Sequence, residues 1–444
     1  MRNRSSLALC VGLLSLLLPH LLLPHLAAAS PSNKSSQPQL LLLNQSKLDF
    51  IKQHLHLPQN AIQLAYLKGK ADAFASAPPL SVTQNIPIGA SGDHRDYFTV
   101  GPYWWPDTSK KDGLPWIRKD GQVNHSVRGP NSDSKLLDAL VRRLNFLALS
   151  YRFTQNERYV KAAEVLLNTW FLDDKTGMNP HLNFAQAIPG RVNGRGIGII
   201  EVRRLIGALD AITLLQNELP AETVDALNTW LSTFLSWLIE SKNGQDEAKK
   251  ENNHGTFYDF ILASLALHLK MDDLAEQVFA SASKRALKQI QQDGSQAHEL
   301  HRTKPFHYSV FNLYAFAGIA KLARQSNSQF FKRDSIEAQY LIQANNYLYE
   351  NLTTSKIWPG TQEKTLNVSK LIDASIVLRV AYPDLPSNEV YFKEFPEAQA
   401  RLKYCQPWMI AADNKVDDNT AEDSSHSQAK DTQPDSTYFC DFLH

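Results

Sequence analysis

The sequence predicts an all-α fold, an (α/α) toroid or incomplete barrel of antiparallel helix hairpins carrying one long aromatic loop. Three observations predict it. Apolar residues recur at helical spacing through most of the 444 residues. The breaks between periodic segments are short and rich in Pro, Gly or polar residues, which favours antiparallel neighbours. Strand-like alternation is scarce. With 43% hydrophobic and 10% aromatic residues the chain can bury a large core.

The first element is not part of that core. Arg2 and Arg4, an apolar run over 7–26 and Ala27-Ala28-Ala29 form a secretory signal with cleavage after Ala29. Pro19 and Pro24 break the run, so no stable membrane insertion is expected after its removal, and Cys10 leaves with it. The chain is therefore read as exported, with the periplasm as its first destination. Residues 30–45 are polar and read as a linker, and 46–412 as the toroid domain. Residues 413–444 are acidic and poor in apolar residues, an expected flexible tail. The remaining pair, Cys405 and Cys440, is expected to tie that tail back to the body.

Helical pattern runs over 45–77 and resumes at 132–153, where Leu136, Leu140, Leu144 and Leu147 form one stripe. Further helices fit 158–170, 201–217, 221–242, 255–269, 272–291, 309–326, 335–352 and 366–380. Between the first two lies 78–130, rich in Pro, Gly and Trp, with the run Tyr97 to Asp107. A loop of that length with such aromatic density reads as functional.

The formal charge is +1, and −1 once Arg2 and Arg4 are removed. No global basic field exists to hold nucleic acid, and an acidic ligand must be met by local donors. Two dense polar stretches supply them. The first is Asn252-Asn253-His254, at the mouth of an apolar helix; the second runs from Gly294 to Arg302 and closes with His307-Tyr308. In a toroid the connections at one end line a cleft, and both stretches are expected to precede helices there.

That residue set suits β-elimination on a uronic acid. Removing the proton at C5 of the sugar moves negative charge onto its carboxyl group, and expelling the C4 oxygen breaks the chain. Amide, imidazole and guanidinium donors stabilise that charge, each typically worth ~10²-fold or more in rate. Asn253, His254 and Arg302 fit this task. Tyr308 is the candidate proton donor, and serves as both acid and base where the two protons lie on one face; His254 or His307 is the base where they lie opposite. The bland alternative makes the Asn-His pair a helix cap and Tyr308 an aromatic core residue. Tyr103, Trp104 and Trp105 are candidates for stacking on sugar faces or for anchoring the loop. Asn252, Gln186, Arg195 and Arg204 are further cleft candidates. The glycine-rich stretch around Arg195 follows no strand, so it is not read as a dinucleotide loop.

Five stretches together resemble the alginate lyase domain family. They are 98–106, 113–121, 183–190 with 194–201, 252–256, and 293–296 leading to Tyr308, in the same order over about residues 60–385. The resemblance implies an exported α/α toroid that depolymerises acidic uronate polysaccharides by elimination without a cofactor. Its Asn-Asn-His motif carries over Asn253 as carboxylate neutraliser and His254 as neutraliser or base, and its Arg…Tyr motif carries over Arg302 and Tyr308. The chain departs from the periplasmic members in Gly255-Thr256-Phe257 after the histidine and in His307 before the tyrosine.

Two other functions compete. A glycoside hydrolase needs two carboxylates flanking the bond, for which Glu201, Asp259 and Glu299 are available, although Glu299 stands one turn before Arg302 as an ion-pair partner. A non-catalytic polysaccharide-binding protein would use only the aromatic loop. A zinc site from His254, His298, His301 and His307 lacks a convincing ligand set, and no metal is expected.

Overall fold

The computed structural model describes residues 39–85, 87–353, 358, 366 and 368–385. The signal expected at 1–29, the bridge expected between Cys405 and Cys440, the boundary expected at 412 and the tail expected at 413–444 lie outside them.

Helices dominate, with an inner arc and an outer layer. Helices α1 (Gln45–Gln53) and α2 (Pro58–Ala75) replace the single helix expected over 45–77. Pro58 fixes the break, because proline cannot donate the bond that would continue α1 yet suits a first helical position. Helix α3 (Asp133–Thr154) follows the aromatic loop, and α4 (Glu157–Leu167) runs on through one π-helical turn at Asn168–Leu172. A 3₁₀ stretch, Gly196–Arg204, leads into α5 (Leu205–Leu215), so the expected helix at 201–217 begins four residues late. The stretch is pinned by close packing: a Cβ on Gly198 would lie 2.5 Å from Ala185 Cβ, and one on Gly196 2.5 Å from Asn243 O.

Next come α6 (Ala221–Glu240), α7 (Lys242–Ala248), α8 (Asn253–His268), α9 (Asp272–Gln289) and the single turn α10 (Ala297–Leu300). The described chain closes with α11 (Pro305–Gln325), α12 (Ile336–Thr353) and α13 (Val368–Ala381). Helices α3, α5, α8, α11 and α13 touch one another in that order, forming the inner arc. Helices α5, α8 and α11 are buried around most of their circumference, as inner helices must be, whereas α4 is strongly amphipathic and belongs outside.

Four short strands hold the aromatic loop to this scaffold. Strand β1 (Phe98–Val100) pairs in parallel with β4 (Phe184–Ala187), and β2 (Trp104–Trp105) pairs antiparallel with β3 (Ile117–Arg118). The loop read as non-periodic is thus a pinned structure.

The last residues of the stretch read as a linker are also core. Residues 40–43 are buried, and the N–H groups of Leu41, Leu42 and Leu43 all donate to the Asp210 carboxylate at 2.5–2.8 Å. Lys321 Nζ donates to the Leu41 and Leu42 carbonyls at 2.6 Å each. Two buried ionic groups thereby satisfy an irregular backbone segment, which explains how it can sit inside.

Candidate active site

Helices α8 and α11 begin on the same side of the toroid, and their first turns carry the chemistry. The structure corrects the expectation that the polar motifs precede these helices: Asn253 and His254 open α8, and His307 and Tyr308 stand in the first turn of α11 behind Pro305. The capping role falls to Asn252, whose side chain accepts from His254 N at 3.2 Å. Asn253 is thereby released from it.

Glu299 holds Asn253 instead. The Asn253 backbone N–H donates to Glu299 Oε1 at 2.6 Å and its side-chain Nδ2 to Oε2 at 2.8 Å. Burial pushes the Glu299 carboxyl up, against the two hydrogen bonds from Asn253, which favour its charged form. One Nδ2 proton is consumed, which fixes the direction of the other. The ion pair expected between Glu299 and Arg302 does not form; each has another partner.

His254 is aimed in a similar way. Its Nδ1 lies 2.7 Å from Glu247 Oε1, and Glu247 on α7 is fully buried. A carboxylate on Nδ1 selects the tautomer protonated there and leaves Nε2 as the nitrogen available to a ligand.

Arg302, between α10 and α11, meets Tyr308 twice. Its Nη2 donates to the Tyr308 hydroxyl at 2.9 Å, and its guanidinium carbon lies 3.9 Å from the ring centroid. Asp120 of the aromatic loop accepts from the same Nη2 at 3.2 Å and from Arg118 at 2.6 Å. The Tyr103 hydroxyl lies 2.8 Å from that of Tyr308. Burial, then the neighbouring Tyr103, pushes the Tyr308 phenol far above its ordinary range, so it stands protonated and able to donate.

These groups line one cavity of about 810 Å³. Asn252, Asn253, His254, Arg302, His307 and Tyr308 face it from the helices, and Tyr103, Trp104, Gln186 and Arg195 from the loop and β4 side. The two tryptophans separate. Trp104 lines the cavity, flanked by Arg191 and Arg195 at 5.4 and 5.7 Å from its ring centroid. Trp105 is not among the lining residues; its indole N–H donates to Gln122 O and Lys119 covers its ring. It anchors the loop. Arg195 donates to both the backbone and side-chain oxygens of Gln186, which adopts a left-handed φ of 50°. Burial, then Arg118, lowers Arg195 to about 10, leaving it charged at neutral pH. His307 stacks on Phe311 with ring centroids 6.2 Å apart.

The carboxylates available to a hydrolase are committed elsewhere. Glu201 accepts from Tyr97, Thr99 and Arg128 at 2.6–3.0 Å, and Asp259 pairs with Arg285 at 2.7 Å. Glu299 is held by Asn253. Among the described residues no three His, Cys, Asp or Glu side chains gather as metal ligands. Sequence reasoning missed Glu247 and Asp120 altogether. Glu247 belongs to no motif and Asp120, although inside the stretch 113–121, has no role assigned by it; their spacing from His254 and Arg302 acquires meaning only when α7 turns at Ser241 and the loop folds over α11.

Comparison with known proteins agrees with this architecture. The sequence model of the alginate lyase family matches residues 81–358. The solved structure of an alginate lyase from Bacteroides ovatus is similar at 32% identity and a TM-score of 0.72, covering 82% of this chain and 94% of that one. Alginate lyase A1-III from a Sphingomonas species is similar at 14% identity and a TM-score of 0.46, over 72% of this chain and 88% of that one. A variant of alginate lyase A1-III complexed with a tetrasaccharide gives 15% identity and a TM-score of 0.43, over 68% and 80%. No curated protein matches.

The chain is an α/α-toroid polysaccharide lyase, a carbon–oxygen lyase acting on an acidic polymer. It belongs to the alginate lyase family.

Proposed function

We propose that the enzyme cleaves alginate or a closely related polyuronate by β-elimination, with Asn253, His254, Arg302 and Tyr308 as the reacting set. One observation carries the reading: four donors from two distant segments share one cavity, and buried carboxylates aim two of them. Asn253 Nδ2 and Arg302 meet the substrate carboxylate and stabilise the charge that moves onto it as the C5 proton leaves. His254 Nε2 takes that proton, with Glu247 offsetting the positive charge the ring acquires. Tyr308, protonated and hydrogen-bonded to Arg302 and Tyr103, gives its proton to the departing C4 oxygen. Trp104 packs against a sugar face. Asn252 caps α8 and Trp105 supports the loop. Gln186, Arg195 and His307 bound the binding cleft.

The reading includes export to the periplasm, on the strength of the charged start, apolar run and small-residue site at 1–29.

A panel of uronate polymers tests it, because elimination leaves a conjugated unsaturated ring that absorbs in the ultraviolet. Wild-type enzyme is expected to generate that absorbance on at least one polymer. Tyr308→Phe, which removes one hydroxyl and little volume, is expected to lower turnover ~10²- to 10⁴-fold while polymer binding persists. Absence of unsaturated product from every uronate polymer would leave a binding protein as the better account.

A further inference from the structure

We propose that Arg203 is a second carboxylate-recognition residue, gripping the acid group of the sugar next to the one that undergoes elimination. The proposal rests on the polyuronate reading above and names a residue that neither the motifs nor the site geometry had assigned.

Arg203 lines the same cavity from the end of the 3₁₀ stretch Gly196–Arg204. Its guanidinium lies against a pair of touching aromatic rings, 5.3 Å from the centroid of Phe311 and 5.9 Å from that of Phe257, whose centroids are 4.2 Å apart. Those rings fix where it stands. Phe257 follows His254 by three residues on α8, and Phe311 follows Tyr308 by three on α11. Three residues advance a helix by about 4.5 Å. Arg203 therefore sits about one turn further into the toroid than the reacting set, along both helices at once.

Three nearby cations are paired with carboxylates and Arg203 is not. Arg204 pairs with Asp138, Arg128 with Glu201 at 2.6 Å, and Arg302 with Asp120 at 3.2 Å. Among the described residues no carboxylate lies within ion-pair distance of Arg203, and its one hydrogen bond runs from Nη1 to the Ile200 carbonyl at 2.9 Å. A guanidinium offers five N–H donors in a planar fork that matches a carboxylate. Burial, then the adjacent Arg204, lowers its pKa to about 10, so it stays charged at neutral pH. A cation drawn out of water without a counter-ion is costly, and two ring faces recover only part of that cost. A purely structural filler at this position would serve as well with an apolar side chain. An arginine held against a ring pair and facing a cavity is arranged for an anion from outside.

The test uses the full chain carrying Tyr308→Phe, so that ligands bind without being cleaved. The probes are a saturated mannuronate trisaccharide and the same trisaccharide with its carboxyl groups reduced to alcohols, titrated by calorimetry or NMR. Adding Arg203→Met is expected to weaken the acidic probe about 10- to 100-fold, as loss of a bidentate charged contact should, and to leave the reduced probe within about twofold. Equal weakening of both probes would make Arg203 a packing residue and overturn the proposal, as would unchanged affinity for the acidic one. If the Met variant fails to fold, Arg203→Lys decides: it keeps the charge but not the fork, and a several-fold loss confined to the acidic probe is expected. Ultraviolet product formation by the wild type is read in parallel. A wild type silent on every uronate polymer overturns the polyuronate reading, whereas an active wild type with Arg203-independent binding overturns this inference alone.

Discussion

Replacing Glu247 by glutamine isolates what a buried charge contributes behind His254. The carboxylate contacts Nδ1 at 2.7 Å, with the imidazole 20% exposed and the carboxylate fully buried. An amide oxygen can accept the same N–H, so the tautomer and the ring position are kept. What disappears is the attraction between the carboxylate and the positive charge the ring acquires on taking the C5 proton. Charges about 4 Å apart interact by about 4 kcal/mol at an effective dielectric of about 20. Discounting for access of solvent to the ring leaves about 3 kcal/mol, or a 10²- to 10³-fold fall in kcat. The fold should tolerate the change, since Glu247 Oε2 has no hydrogen-bond partner among the described residues and the new NH₂ displaces none. Initial rates of ultraviolet product formation, with a thermal melt as control, provide the assay. A kcat within about threefold of wild type, in a variant that melts normally, would show that His254 does not become charged on the reaction path.

Glu299→Ala leaves the Asn253 backbone N–H and one Nδ2 proton without acceptors. Chemical denaturation should show a loss of about 2–3 kcal/mol, and kcat should fall ~10- to 100-fold as the amide loses its aim; unaltered kinetics would remove Asn253 from the reaction. Asp133 supplies a pH-dependent prediction. Burial raises its carboxyl to about 7 from an ordinary 3.8, despite the hydrogen bond it accepts from Phe98 N at 2.7 Å. The folded chain thus holds this proton more tightly than the unfolded one. The associated stability is present in full below about pH 3.8 and is lost as pH climbs through 7, by about 4 kcal/mol in total. Asp133→Asn keeps an acceptor for Phe98 N, so the variant should gain stability relative to wild type between pH 5 and 8 in urea titrations. Parallel pH profiles for the two proteins would contradict it.

Much of the fold was legible because helix periodicity is a local signal. The α3, α8 and α11 members of the inner arc follow from runs such as Leu136, Leu140 and Leu144, and the scarcity of strand alternation matches the four short strands of the described residues. The misplacements have identifiable causes. Pro58 breaks one long periodic segment in two, and Pro305, a good first residue for a helix, starts α11 four residues before the apolar pattern does. Burial of residues 40–43 could not be read from a short leucine run, since it depends on Asp210 and Lys321, which lie 167 to 280 residues away. The candidate site divides along similar lines. Asn253, His254, Arg302 and Tyr308 were visible as polar residues where packing asks for apolar ones. Glu247 on α7, Asp120 in the aromatic loop and Arg203 in the 3₁₀ stretch were not, because a charged residue looks like any solvated side chain until a tertiary partner is known.

The distribution of charge explains how such a cavity can discriminate the transition state from the substrate. A lone cation on the sugar carboxylate would bind the ground state nearly as well as the enolate-like state, and so would raise affinity more than rate. Here the reacting guanidinium of Arg302 is already paired with Asp120, and its Nη2 also serves Tyr308. Asn253 contributes an amide with no net charge, held rigid by Glu299. The carboxylate thus meets oriented donors whose hydrogen bonds strengthen as charge accumulates on its oxygens, with little excess positive potential beforehand. The near-neutral chain as a whole, at +1, applies the same economy on a larger scale. Protonation completes the logic: a phenol pushed upward by burial is a poor base in the free enzyme but releases its proton as alkoxide character grows on the departing oxygen beside it. Arg302 then faces a phenolate and stabilises it, so the same guanidinium that steadies the enolate lowers the barrier to leaving-group expulsion.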